Sequence, residues 1–142
     1  MSMKAGLWID HQKATIVYLD RKEESTRIIE SDVEPRIRVT GGSRSATPYG
    51  PQESAAERKR EERRKHQREA YYSKVVEALR LCEEVFIFGP GPAKGELKKS
   101  MERQKDLKVR VAAVEPADKM TPQQIAAKVR AFFGQERRVR RL

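Results

Sequence analysis

The pattern of apolar residues predicts one buried strand around which the chain is built. Val85–Phe88 is apolar without alternation, which is typical of a strand buried on both faces, at the centre of a sheet covered by helices. Gly89, Pro90 and Gly91 end this run. Pro92 suits the first position of a helix, because the N–H that proline lacks would have no partner there. We therefore predict a central strand that turns sharply into a helix.

Further strands are predicted in the first 40 residues. Ala5–Ile9 and Ala14–Leu19 are largely apolar and flank four polar residues, a pattern that predicts a hairpin. Thr26–Ser31 continues the sheet with two isoleucines. Arg36–Thr40 alternates basic and apolar residues, as a strand with one solvent-facing side does.

One long helix is predicted over Ser54–Leu81, which contains neither glycine nor proline. In its second half, Tyr72, Val76 and Leu79 share a face that packs on the sheet. The first half, Glu57–Arg68, has no apolar face. A helix of that kind either bridges through solvent or folds only conditionally.

The last third of the chain predicts a helix, a strand and a final helix, the first two at Ala93–Gln104 and Val109–Val114. Thr121 is the expected N-cap of the final helix, and Gln124 completes a capping box with it. Gly134 is expected to end this helix.

This order of elements predicts an α/β fold with a mixed sheet of about five strands and helices on both faces. The architecture resembles ribonuclease H-like folds. We expect a single domain over residues 1–134, with a mobile glycine-rich loop at 40–53 and a basic tail at 135–142. The loop is expected to be functional or disordered, because loops of this length are uncommon in compact domains.

The net charge of the 142-residue chain is +10, and 37% of its residues are charged, against about 25% in an ordinary domain. Polyanions are therefore the expected partners. Glu57–Arg68 carries a net +4 and the tail a net +3, so the charge is concentrated in two places. The predicted RNA-binding residues are the arginines and lysines of these segments and of the glycine loop: Arg44, Arg58, Lys59, Arg60, Arg63, Arg64, Lys65, Arg68, Arg137, Arg138, Arg140 and Arg141.

Little in the sequence indicates enzyme chemistry. His11 and His66 lie in separate elements, so no metal site and no cofactor is predicted. Asp10, at the end of the first strand, stands where a ribonuclease H-like nuclease places a metal carboxylate. The central strand Val85–Phe88 and the strand after it, Val109–Val114, contain no acid that would complete a two-metal site. The single cysteine, Cys82, fits a reducing compartment. No apolar run approaches the roughly 20 residues of a membrane span, and we expect a cytoplasmic protein.

The turn after the central strand has two interpretations. It is a plain strand-to-helix connection, or it is an anion site formed by Gly89, Gly91 and Lys94, because free backbone N–H groups gather at a helix start. Pro90 and Pro92 remove two of these donors, and the segment matches no established phosphate-binding motif.

Four blocks of sequence resemble the central domain of archaeal and eukaryotic class-I peptide chain release factors and of the related ribosome-rescue protein Pelota. Gly6–Ile16 resembles the opening hairpin of that domain, and Gly41–Ala46 stands at its GGQ loop. The basic run that leads into Tyr71–Val75 resembles the long helix after that loop. Gly89–Lys94 resembles the GPG-x-x-K turn of the family. The likeness covers nearly the whole chain.

The resemblance implies a position on the ribosome and a role for the loop. In the family, the glutamine of GGQ helps to place the water that hydrolyses peptidyl-tRNA. Gly41 and Gly42 match the motif, whereas Ser43 replaces the glutamine and is too short to make the same contact. We therefore predict no catalytic residue. The codon-reading and GTPase-recruiting domains of the family have no counterpart, so a partner chain that supplies them is one expectation.

Three functions remain open from the sequence. The first is a translation-factor-like protein that binds ribosomal RNA or tRNA. In it, the loop Gly41–Gly50 would probe the RNA and the basic residues of Arg58–Arg68 would hold phosphates. The second is a peptidyl-tRNA hydrolase of low activity with an altered loop. The third is a protein-interaction module without a nucleic-acid role. The absence of a glutamine at position 43 distinguishes the first function from the second. The salt dependence of RNA binding distinguishes the first function from the third.

Overall fold

The computed structural model describes residues 3–20, 23–31 and 50–141, and the side chains of 55–134 within the last range. Five strands and three helices follow one another in these ranges: β1 (Lys4–Ile9), β2 (Lys13–Leu19), β3 (Glu24–Glu30), α1 (Gly50–Leu79), β4 (Glu84–Gly89), α2 (Ala93–Glu102), β5 (Arg110–Pro116) and α3 (Pro122–Arg141). Among them, no helix is long and apolar enough to cross a lipid bilayer.

The five strands form one mixed sheet in the order β3-β2-β1-β4-β5. β1, β2 and β3 are an antiparallel meander. β4 runs parallel to β1, and β5 runs parallel to β4. The α/β fold and the mixed five-stranded sheet predicted from the sequence are confirmed, and Val85–Phe88 does lie in the interior of the sheet with every side chain buried.

Each face of the sheet is covered by helices and forms its own apolar core. On one face, α1 and α2 pack against the side chains of Leu7, Ile16 and Ile87, among others. On the other face, α3 packs against Trp8 and Phe86. The sheet is covered on both sides because alternate residues of β1 and β4 point into the two cores, as the apolar run of β4 predicted.

The parallel strands give the sheet two distinct edges. We call the edge at which β1, β4 and β5 end the carboxyl edge, and the edge at which they begin the opposite edge. The β1–β2 hairpin turn and the turn from β4 into α2 lie at the carboxyl edge. Ligands of open α/β sheets commonly bind at the carboxyl ends of the strands.

Gly89 allows the backbones of β1 and β4 to approach closely at the carboxyl edge. Its φ is +152°, and a Cβ atom there would lie 2.2 Å from the carbonyl oxygen of Ile9. Gly91, two residues further, has a φ of +63° but open space around it. Pro92 is the N-cap of α2, one position before the helical position predicted for it.

The capping box at the start of α3 is confirmed. The amide N–H of Gln124 donates to the Thr121 hydroxyl at 3.1 Å, and the Gln124 side chain accepts from the Thr121 N–H at 2.9 Å. The prediction that Gly134 ends this helix is wrong, since α3 continues to Arg141. A single glycine costs a helix only about 1 kcal/mol, and the glutamine, glutamate and arginines that follow favour helix.

α1 begins earlier than predicted, at Gly50, so Gly50–Glu53 belongs to the helix rather than to the loop. Pro51 is tolerated because the first turn of a helix needs no N–H from it. The predicted strand Arg36–Thr40 and the rest of the glycine-rich loop lie outside the described residues.

The three glycines around the β4–α2 turn are expected to respond differently to alanine. Gly89→Ala should cost roughly 3 kcal/mol of unfolding free energy, because the new methyl group meets the Ile9 backbone at an unfavourable φ. Gly91→Ala should cost about 1 kcal/mol for its left-handed φ alone. Gly95→Ala, in the interior of α2 with open space, should gain about 0.5 kcal/mol. Urea denaturation measures the free energy of unfolding of all three variants. Equal losses for Gly89→Ala and Gly91→Ala would contradict the close approach of the β1 and β4 backbones.

Candidate nucleic-acid interface

The first half of α1 extends beyond the sheet and buries no side chain among the described residues. Of the side chains in Ala55–Ala70, which we call the arm, none is buried, and the buried stripe of α1 begins only at Tyr71. Tyr71 lies at the carboxyl edge beside Asp10, whereas Ala78 lies further down the sheet beside Tyr18 of β2. The helix axis therefore carries the arm past the carboxyl edge, over a length of roughly 24 Å.

Two tyrosines fix α1 at the point where the arm begins. The Tyr71 hydroxyl donates to the backbone carbonyl of Asp10 at 3.0 Å. The Tyr72 hydroxyl donates to the carboxylate of Glu96 in α2. Burial raises the pKa of both phenols, and the Glu96 carboxylate raises that of Tyr72 further. Both hydroxyls therefore stay protonated, as hydrogen-bond donors must.

The predicted RNA-binding residues of the arm differ in their exposure. Arg64 and Arg68 are half-buried, and Arg64 forms an ion pair with Glu61. Five others are exposed to solvent: Arg58, Lys59, Arg60, Arg63 and Lys65. The arm thus presents a dense group of cations at the carboxyl edge, which is the arrangement that attracts a polyanion.

The two basic segments of the sequence are carried to opposite edges of the sheet. α3 starts near the carboxyl edge, where the indole N–H of Trp8 donates to the Asp118 carbonyl at 3.0 Å. It then descends, since Arg130 pairs with Glu24 at 2.7 Å and Phe133 lies under the Lys4 ammonium. Its last turns, which contain the four arginines 137, 138, 140 and 141, therefore extend from the opposite edge. They do not form one surface with the arm.

The turn Gly89–Pro92, between β4 and α2, offers an anion few hydrogen-bond donors. The N–H groups of Gly95 and Glu96 donate to the carbonyl of Pro92, at 3.1 and 3.0 Å. The Lys94 ammonium donates to the carbonyl of Gly91. Glu96 adds a negative charge to the first turn of α2. The anion site at Gly89, Gly91 and Lys94 stays a prediction. The functional role of the loop residues Gly41, Gly42, Ser43 and Arg44 also stays a prediction, because they lie outside the described residues.

Asp10 and Cys82, which were singled out from the sequence, and the buried Glu84 have structural roles. Asp10 caps its own hairpin, since its side chain accepts from the N–H groups of Gln12 and Lys13 at 2.8 and 2.9 Å. Glu84, at the opposite edge, is buried between Lys4 and Arg110. Burial raises the pKa of the Cys82 thiol to about 11. Within the part of the chain that the structure describes, no cluster of His, Cys, Asp or Glu could hold a metal ion.

Sequence reasoning missed two features. The first is a cluster at the carboxyl edge, in which Glu96 contacts both Tyr72 and His11, with His11 Nε2 3.4 Å from Glu96 Oε1. No local pattern indicates it, because the three residues come from three elements. The second is a group of exposed basic side chains on α2 and the loop after it: Lys98, Lys99, Arg103, Lys105 and Lys108. A count of the charged residues over Lys98–Arg110 would have indicated this basic group.

The fold is similar to that of proteins of translation. The crystal structure of the Thermoplasma acidophilum Pelota protein matches with a TM-score of 0.54 and 14% identity, over 92% of this chain and 32% of Pelota. The crystal structure of the archaeal translation termination factor aRF1 matches with a TM-score of 0.43 and 16% identity, over 98% of this chain and 41% of aRF1. This chain therefore spans less than half of either protein.

No family model matches the chain, and no curated protein matches it. The similarity to Pelota therefore supports the fold that the sequence resemblance implied. The domain architecture and activity of the longer proteins are not carried over with it.

The bond between Tyr72 and Glu96 is expected to anchor the arm. Tyr72→Phe should lower the free energy of unfolding by about 1.5 kcal/mol, because a hydrogen bond to a charged acceptor is lost. Glu96→Ala removes the acceptor and should cost a similar amount, and the double variant should cost no more than either single change. Urea denaturation of the three variants gives the coupling energy. Additive losses would mean that the two side chains do not act as a pair.

Proposed function

We propose that this protein is a translation-factor-like protein that binds ribosomal RNA or tRNA on the ribosome through its arm. The observation that carries the proposal is the arm itself, a helical segment of four turns without a buried side chain and with a net positive charge. Such a helix gains nothing from packing on its own fold. Contact with phosphates would neutralise its charge and release counterions, which is a strong source of affinity.

The resemblance of the sequence to release-factor central domains, together with the fold similarity to Pelota, supports the ribosome as the place of binding. In this proposal the loop Gly41–Gly50, with Arg44, probes the RNA beside the arm. The arginines at the end of α3 add a second basic patch at the opposite edge. A partner chain provides the domains that the longer proteins carry, and the complex works in the cytoplasm.

The proposed role does not include hydrolysis of peptidyl-tRNA. Ser43 stands at the position of the glutamine that places water in the GGQ loop. A serine side chain lacks the amide and the length to make that contact. The protein in this proposal occupies an RNA site rather than carrying out a reaction there.

Binding is expected to depend on the arm rather than on net charge alone. Changing the five exposed cations Arg58, Lys59, Arg60, Arg63 and Lys65 to glutamine should weaken ribosome and tRNA binding at least tenfold, and should lower the log–log salt slope by about three. The matched control changes the five exposed cations Lys98, Lys99, Arg103, Lys105 and Lys108 to glutamine. It removes the same charge at a distance from the arm and should bind within about threefold of the wild type.

Sedimentation with ribosomes and filter binding over a range of salt concentrations measure both variants, and circular dichroism checks that they fold. Equal losses in the two variants would show that net charge, not the arm, drives binding. A wild-type protein that binds neither ribosomes nor tRNA would overturn the proposed function and favour a protein-interaction module.

Peptidyl-tRNA hydrolysis is expected to stay at background when the isolated protein is added to ribosomes that hold peptidyl-tRNA. Ser43→Gln restores the residue of the motif and serves as the matched comparison. Release of labelled peptide is the measurement. Turnover by the wild-type protein that disappears in Gly42→Ala would contradict the prediction and establish the altered loop as catalytic.

A further inference from the structure

We infer that the arm contacts its RNA through one side only, and that the ligand of this side is the sugar–phosphate backbone of double-stranded RNA. The contacting residues are Lys59, Arg60 and Arg63, which we call the outward stripe. The inference rests on the proposed function, because it concerns how the same arm binds RNA. It adds which side of the helix binds and which form of RNA is bound.

The packed half of α1 fixes which side of the arm faces outward. Tyr72, Val76 and Leu79 are buried against the sheet and α2. At about 100° per residue, the arm divides into an inward half that continues this stripe and an outward half opposite it. The inward half holds Glu57, Arg58, Glu61, Glu62, Arg64, Lys65, Arg68 and Glu69. The outward half holds Ala55, Ala56, Lys59, Arg60, Arg63, His66, Gln67 and Ala70.

The two halves differ completely in charge. The inward half has four basic and four acidic side chains, and its net charge is zero. The outward half has three basic side chains and no acid, so it carries the whole net charge of the arm. Contacts within the inward half agree with this division, since Arg64 pairs with Glu61 and the charge of Arg68 acts on the Tyr72 hydroxyl.

The outward half also lets a phosphate backbone come close. Three of its eight side chains are exposed alanines: Ala55, Ala56 and Ala70. A shallow hollow at the border of the two halves is lined by Lys59, Arg63, His66, Gln67 and Ala70 of the outward half and by Glu62 of the inward half. Small side chains before and after the three cations leave room for the ribose–phosphate chain to run along the helix. Cations that contact phosphates position a protein on nucleic acid independently of sequence.

The absence of Phe, Tyr and Trp from the arm favours a duplex over a single strand. Proteins that bind single strands stack the bases on exposed aromatic rings. Ala55–Ala70 contains no Phe, Tyr or Trp, the adjoining Tyr71 and Tyr72 are buried in the core, and the imidazole of His66 is the one ring that the arm exposes. A duplex offers more phosphates per unit length, so each lysine or arginine releases more counterions on it than on a single strand.

Two variants with the same change in charge test the side of contact. The outward variant is Lys59→Gln, Arg60→Gln, Arg63→Gln. The inward variant is Arg58→Gln, Lys65→Gln, Arg68→Gln, which keeps the Arg64–Glu61 pair. Each loses one lysine and two arginines from the same helix, and glutamine preserves helix propensity. Because the Debye length in 0.15 M salt is about 8 Å, charges on the far side of the helix are largely screened.

The ligands are two 20-base-pair RNA duplexes of unrelated sequence and one strand of the first duplex, each titrated at several salt concentrations. We expect the wild-type protein to bind the two duplexes equally and the single strand at least fivefold more weakly. The outward variant should lose at least tenfold in duplex affinity and two to three units of log–log salt slope. The inward variant should stay within about threefold of the wild type.

Equal losses in the outward and inward variants would overturn the one-sided contact. Tighter binding of the single strand than of the duplex would overturn the choice of ligand. Both results would leave the proposed function intact, as long as the variant with all five exposed arm cations changed still loses ribosome binding. If that variant binds as the wild type does, the proposed function fails first and the inference fails with it.

Discussion

β1 and β4 run parallel through the middle of the sheet, and every residue of Ala5–Ile9 and Val85–Phe88 is buried. Two strands buried on both faces need a helical layer on each side, which α1 and α2 form on one face and α3 on the other. Parallel pairing also requires a crossover between the strands, and α1 is part of that connection. At Gly89 the absence of a side chain lets the backbone of β4 lie against Ile9 of β1 at the carboxyl edge.

α1 does two different things along one continuous helix. Below Tyr71 it is an ordinary amphipathic helix whose stripe fills the core on one face of the sheet. Above Tyr71 it is polar on all sides and depends on the lower half for its direction. The hydrogen bonds of Tyr71 and Tyr72 to the β1–β2 turn and to α2 stand at this boundary. A rigid, anchored helix can hold cations at a fixed place, which a flexible basic segment cannot do.

The position of the charges matters more than their total. The arm leaves the sheet at the carboxyl edge, while the last turns of α3 leave it at the opposite edge. The strands between them are six or seven residues long, which is roughly 20 Å and more than twice the Debye length in physiological salt. At that separation, salt largely screens charges on one basic segment from those on the other.

The sequence by itself determined the elements whose signals are local. The unbroken apolar run Val85–Phe88 specified a strand covered on both faces, because it leaves no position for solvent. Thr121 and Gln124 specified the start of α3 through their own hydrogen bonds. The lack of an apolar face in Glu57–Arg68 also identified the basic part of α1 as unpacked. Only the tertiary structure decided that Glu96 meets Tyr72, since long-range contacts depend on how the elements cross. It likewise decided that the basic ends of α1 and α3 lie at opposite edges, because the direction of each helix follows from the strand order and not from its own residues.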